Sequence, residues 1–216
     1  TVVCDGVHPE EKAHEHMRRR QKADSIVITS TFIAMCVKVC KKLFINYVVA
    51  PQEADMQVCR RDDNTILVCR DSDGVAYGHT YIVIVDSWSK QEYRIIDMTV
   101  PVTEEVAKDY PLYVAYKRYG IKIIHWWAAT MGCDISTNES GISGAGPTAF
   151  FKALDDVMRQ EGNLTPTAFA KKLREYATPP TRQSYSATQI RDELIRVSKW
   201  FSKDGTFYDK HGNVYS

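Results

Sequence analysis

The chain has 216 residues, a formal net charge of +1, 44% hydrophobic residues and 25% charged residues, the profile of a folded globular protein rather than a disordered one. The length allows one large domain or two small ones, and no apolar run reaches the roughly 18 residues that span a bilayer. A charge near zero gives no global attraction to a polyanion, so any contact with nucleic acid has to come from local charge.

Val2–Cys4 is a short apolar strand that stops at Asp5-Gly6. Pro9 then opens a predicted helix, with Glu10 and Glu11 in its first turn and Arg18, Arg19 and Arg20 later, a polarity that suits the helix dipole. Asp24-Ser25 interrupts it. From Thr29 or Ser30 a second helix places Phe32, Cys36, Val39 or Cys40, and Leu43 on one face. Ile45–Val49 is a predicted strand. Ala50-Pro51 ends it and opens a helix to about Arg61, Asp62-Asp63-Asn64 turns, and Thr65–Cys69 is the next strand. Both strands are nearly all apolar, as expected of parallel strands covered on both faces, and the connection has the length of a right-handed crossover.

Tyr81–Val85 and Glu92–Met98 read as a hairpin across Ser87–Gln91. Thr103-Glu104-Glu105 starts a helical stretch, and Ile121–Met131 is a helix carrying Trp126 and Trp127, both expected in the core. Asn138–Pro147 is rich in glycine and serine, with a helix following from Thr148 to Arg159. Thr165–Tyr176 and, after Pro179-Pro180, Ser186–Phe201 are helical, and Asp209–Asn213 is a terminal turn. There is no internal repeat. The six cysteines form no CxxC pair and no zinc-spaced cluster, so they are expected as free, buried thiols in a reducing compartment. His14 and His16 are two apart and point to different helix faces; with His8 they are expected at the surface. No signal peptide opens the chain, and its first residues read as a strand already under way, as if the sequence began inside a larger protein.

The acids fall in a pattern. Asp5 follows the first strand, Glu53 and Asp55 the second, and Asp71 and Asp73 the third, while Asp134 follows the Trp126–Met131 helix and is placed to join them. Ligand sites of open α/β sheets lie beyond the carboxyl ends of strands. Any one of these acids is more readily explained as a helix cap or turn former. Together they would repel one another unless compensated, and hard divalent cations with oxygen ligands compensate such a set. A pair of such ions serves phosphodiester hydrolysis, so the pattern points to a metal-dependent phosphoryl hydrolase.

Asp5-Gly6 followed by Pro9 and a basic helix, Ala50-Pro51-Gln52-Glu53-Ala54-Asp55, Asp71-Ser72-Asp73-Gly74-Val75-Ala76-Tyr77-Gly78, and Gly132-Cys133-Asp134 followed by Gly141-Ile142-Ser143-Gly144-Ala145-Gly146-Pro147 occur in this order. Over about Thr1–Leu154 the sequence resembles the flap endonuclease and xeroderma pigmentosum G superfamily of structure-specific 5′-nucleases, and within it the eukaryotic 5′-exonuclease branch. The resemblance implies an α/β, PIN-like nuclease core with a mainly parallel central sheet flanked by helices, a helix–two-turn–helix element and C-terminal helices. It divides the chain into a nuclease core over 1–136, a DNA-binding helix–two-turn–helix over 137–160 and a helical extension over 161–216.

It further implies two Mg²⁺ or Mn²⁺ ions held by Asp5, Glu53, Asp55, Asp71, Asp73 and Asp134, with Lys12 and Arg19 reaching the scissile phosphate. These cations are two helical turns apart on one face; without the resemblance, the Lys12–Lys22 charges would read as a solvated basic face. A K⁺ ion and duplex phosphates are implied at the glycine-rich turn, through Gly141, Ser143, Gly144, Gly146 and Thr148, the last standing where the family often has a lysine. One more family acid, on a strand preceding Val2, is expected in an N-terminal segment outside the sequence. The interval 24–30 is too short for the family's helical arch. The expected partner is DNA with a 5′ end or a single-strand/double-strand junction, in an intracellular, nuclear setting, with no membrane and with protein partners unspecified. An RNA-directed nuclease of the same fold and a non-catalytic scaffold of that fold remain the alternatives.

Overall fold

The computed structural model describes residues 1–6, 12, 17, 29–58, 65–138, 140–178, 185–202, 207–208 and 214–215. The chain forms two compact units, Thr1–Thr99 with Asp204–Ser216, and Val100–Lys203. The predicted helix after Pro9 (apart from residues 12 and 17), the three histidines near it, Arg19, Cys59, the turn at 62–64, the proline pair and the terminal turn lie outside the described residues.

In the first unit, β1 (Val2–Cys4) pairs in parallel with β2 (Tyr47–Val49), Val2 opposite Tyr47 and Cys4 opposite Val49. β3 (Leu67–Cys69) pairs in parallel with β4 (Tyr81–Ser87), which pairs antiparallel with β5 (Glu92–Asp97) as the predicted hairpin. Each of β2 and β3, the two strands of the expected strand–helix–strand unit, has a different parallel partner, and the two ladders stay separate among the described residues. These strands are not covered on both faces, since Val49 is 44% and Val68 55% exposed.

Helix α1 (Ser30–Lys42) starts at Thr29, whose hydroxyl accepts a bond from the Phe32 amide, the usual satisfaction of a free first-turn donor. Its apolar face is present, but Phe32, Val39 and Leu43 on that face are exposed and only Cys40 is buried. Helix α2 (Ala54–Val58) begins three residues later than Pro51. The short helix α3 (Asp73–Ala76) follows β3. β6 (Phe207–Tyr208) and β7 (Val214–Tyr215) form a small antiparallel pair.

The second unit is helical. α4 (Glu104–Asp109) is capped by Thr103, and α5 (Pro111–Tyr119), a separate helix that the sequence pattern did not resolve, opens on its proline. α6 (Lys122–Met131) ends at Gly132, and α7 (Pro147–Glu161) at Gly162. α8 (Pro166–Tyr176) is capped by Thr165, and α9 (Ala187–Phe201) carries a full capping box from Ser186 and Gln189, in which two free backbone donors are satisfied reciprocally. Trp126 is buried against Phe169 with ring centroids 5.0 Å apart, and Trp127 packs edge-on to Phe150 at 5.1 Å, so both tryptophans serve the core as expected. Cys4, Cys36, Cys40, Cys69 and Cys133 form no disulfide, and of these Cys40 alone is buried; the thin layers of the first unit leave Cys4, Cys36 and Cys69 half covered. No helix among the described residues is long and apolar enough to cross a membrane.

Candidate metal centre and nucleic-acid interface

The Asp5-Gly6 corner is built by close backbone approach. The Gly6 amide donates to the Gln52 carbonyl at 2.6 Å, and a Cβ on Gly6 would fall 1.8 Å from the Ala50 carbonyl oxygen. Only glycine fits there. The corner brings the Asp5 carboxylate to the start of α2, where it accepts the Ala54 amide at 2.7 Å. Asp5 is thereby tied to the segment carrying Glu53 and Asp55.

Glu53 is buried, and so is Lys12; their ion pair measures 2.8 Å. Two buried opposite charges compensate each other's lost hydration. Lys12 therefore sits on an acid of the candidate site, 41 residues away in sequence. Asp71 is exposed and accepts the Asp73 amide at 3.2 Å, closing the turn that starts α3.

Asp55 is where the acids meet. Burial pushes its carboxyl up from 3.8 to about 7, and the negative charges of Asp71, Asp73 and Asp5 push the same way, while Lys12 opposes them. The carboxyl ends of β1, β2 and β3 thus deliver charge to one region, although the strands belong to two ladders. Cys69 shares it: burial pushes its thiol up, the bond it donates to the Asp71 carbonyl at 3.0 Å opposes this, and the charges of Asp71, Asp55 and Asp73 add to the rise. Oxygen donors around a carboxyl that resists ionisation suit a hard divalent cation. Among the described residues, no three Asp, Glu, His or Cys side chains already converge on a metal position.

Asp134 lies in the second unit, half-buried, in the loop between α6 and α7. That loop is folded on itself. The Ser136 amide donates to the Cys133 carbonyl at 2.8 Å, the Cys133 amide to the Ser136 hydroxyl at 3.1 Å, and the Ile142 amide to the Thr130 carbonyl at 2.9 Å. Gly141 has φ +73°, and a Cβ there would fall 2.2 Å from the Thr130 carbonyl oxygen, so the turn requires glycine twice over.

The glycine-rich turn continues into α7. Gly144, Gly146, Pro147 and Thr148 line a cavity of about 260 Å³ together with Lys152, Tyr176 and Thr178. The Gly144 carbonyl accepts the Thr178 amide at 3.1 Å. Gly141 and Ile142 are buried, whereas Gly144, Gly146 and Thr148 are exposed. Lys152 was not singled out from sequence. It stands four residues after Thr148, hence on the same helix face, with its amine 5.1 Å from the Tyr176 ring centroid. The spacing was the available signal: a cation one turn below the position where the family often has lysine.

Solved structures share this arrangement of elements. The catalytic core of Rad2 in complex with DNA substrate (complex III) superposes with a TM-score of 0.56 at 21% identity, covering 99% of this chain and 67% of that one. The chain has the fold of the Rad2 catalytic core. A second Rad2 catalytic-core structure (complex I) agrees at TM-score 0.53, 20% identity and coverage of 99% and 69%. Flap endonuclease-1 from Methanococcus jannaschii aligns over 93% of this chain and 75% of that one, with 17% identity and a TM-score of 0.49. No family model and no curated protein sequence matches the chain. The PIN-like α/β class expected from the motifs is therefore the observed one, on a chain spanning about two thirds of the Rad2 cores.

Proposed function

We propose that the protein is a divalent-metal-dependent, structure-selective 5′-nuclease that hydrolyses phosphodiesters of DNA at 5′ ends or single-strand/double-strand junctions. The observation that carries this is the crowding of Asp55 by Asp71, Asp73 and Asp5 at the ends of three strands, within a fold shared with a nuclease core solved in complex with DNA substrate. Asp5, Glu53, Asp55, Asp71, Asp73 and Asp134 would hold two Mg²⁺ or Mn²⁺ ions, which when bound supply charge neutralisation and a nucleophilic water for in-line attack. Lys12, now paired with Glu53, and Arg19 would steady the scissile phosphate, where a fixed cation offsets developing charge. The exposed Gly144, Gly146 and Thr148 would take duplex phosphates, with Lys152 supplying the cation that Thr148 lacks and K⁺ bound at the turn. A nuclear location follows from such a substrate.

The test is cleavage of a 5′-flap DNA duplex with Mg²⁺ or Mn²⁺ by Asp71→Ala and Asp134→Ala proteins. Both should fold and lose cleavage. Undiminished metal-dependent cleavage by the double variant would sink the site assignment. A matched RNA flap in the same assay separates the RNA-directed alternative.

A further inference from the structure

The helices after α7 are not inert. We infer that Glu193 of α9 is a positioning residue that sets the Asp134 loop. Glu193 is only 7% exposed. Its two carboxylate oxygens receive two donors of one residue 56 positions away: the Thr137 amide reaches Oε1 at 2.8 Å and the Thr137 hydroxyl reaches Oε2 at 2.8 Å. Arg196, one turn further along α9, donates to the same oxygens at 2.9 and 3.1 Å. This is bidentate recognition of a single loop residue, with the guanidinium bonded to the same two oxygens.

The position of Thr137 gives the clamp its meaning. It lies three residues after Asp134 and four before Gly141. On one side the Cys133–Ser136 turn is closed by its own bonds and anchored by buried Ile135; on the other, the Ile142 amide is bonded to the Thr130 carbonyl and the Gly141 amide to the Asn138 carbonyl. Glu193 pins the middle. It therefore fixes the distance between the acid proposed to ligate metal and the turn proposed to hold duplex. An apolar residue of similar volume would pack α9 as well, and often more stably. What only the carboxylate provides is direction toward Thr137.

The inference rests on the proposed metal role of Asp134 for its effect on catalysis, but not for the clamp itself. Thr137→Val removes the hydroxyl bond at an exposed residue and preserves shape; Thr137→Ser keeps it; Glu193→Ala removes both bonds. Amide exchange over 133–138 and 140–142 should accelerate roughly tenfold in Thr137→Val, the loss expected for one hydrogen bond to a charged group. Glu193→Ala should accelerate it more, and Thr137→Ser should match wild type. Protection in α7 and α8 should not move. On a flap duplex, Thr137→Val should lower kcat and Mn²⁺ affinity with KM unchanged, and in an Asp134→Asn background it should no longer alter Mn²⁺ affinity. Unchanged exchange in both Thr137→Val and Glu193→Ala overturns the clamp. An equal loss of Mn²⁺ affinity with and without Asp134 overturns its action through that residue. A wild-type protein that neither binds Mn²⁺ nor cleaves would remove the nuclease proposal, while the exchange experiment still decides the clamp.

Discussion

Replacing Asp55 by asparagine should stabilise the metal-free protein at alkaline pH. In the folded chain the carboxyl is raised from 3.8 to about 7, so the folded state binds its proton more tightly than the unfolded state does. Stability contributed by this group is complete below 3.8 and is lost as pH rises toward 7. At about 1.4 kcal/mol per tenfold, the full difference is roughly 4 kcal/mol. The side chain is only half-buried, and solvent screening reduces the effect to about 1–2 kcal/mol. Asparagine keeps the size and removes the charge. Urea unfolding in a chelator at pH 4 and pH 8 reads the effect, with the first unit's transition assigned by amide exchange in Tyr81–Ser87. The variant should match wild type at pH 4 and exceed it by about 1–2 kcal/mol at pH 8. Mn²⁺ should then stabilise wild type and leave the variant unmoved. A variant less stable than wild type at pH 8, or a difference independent of pH, refutes the electrostatic reasoning.

Lys12→Met should cost about 1–3 kcal/mol, because it removes the 2.8 Å ion pair from the buried Glu53, and adding Glu53→Gln should recover part of it; a single variant within about 0.5 kcal/mol of wild type in urea unfolding would show the pair is not held. Gly141→Ala should destabilise the second unit by about 1–3 kcal/mol, since its Cβ meets the Thr130 carbonyl at a positive φ. Gly146→Ala has open space around it, so its thermal unfolding should match wild type while its affinity for a DNA duplex falls. Equal stability of the two alanine variants would contradict the geometry of the turn.

Periodicity made α6 to α9 legible because each has an apolar face and explicit punctuation, Thr165 and Ser186 at starts and Gly132 and Gly162 at ends, whereas the short α5 was not resolved. The β4–β5 hairpin was equally plain, with two apolar runs around a polar turn. Strand pairing in the first unit was not. Tyr47–Val49 and Leu67–Cys69 are too short for their sequence to choose a neighbour, so the apolar pattern that suggested one crossover is satisfied by two separate parallel ladders. The acids were legible as a set because they recur after strands. Their individual partners were not, since the Lys12–Glu53 pair and the Glu193–Thr137 bonds join residues 41 and 56 apart.

The two units differ in what holds them. In the second, Phe150, Phe169, Leu173, Ile190, Leu194 and Val197 are entirely buried, a core of large side chains from three helices that needs no ligand to form. In the first, Phe32, Met35 and Val39 of α1 and Leu43 at its end are exposed, and Phe44 is 95% exposed. Five of the six proposed ligands sit in this thinly packed unit, where like charges oppose folding. A cation bound there adds stability by mass action as well as chemistry. The sixth, Asp134, is carried by the well-packed unit on a loop that Glu193 holds without metal. Within the second unit, packing orders the Asp134 loop; within the first, a bound cation would offset the repulsion around Asp55. That is why charge removal at Asp55 and bond removal at Thr137 should move stability in opposite directions.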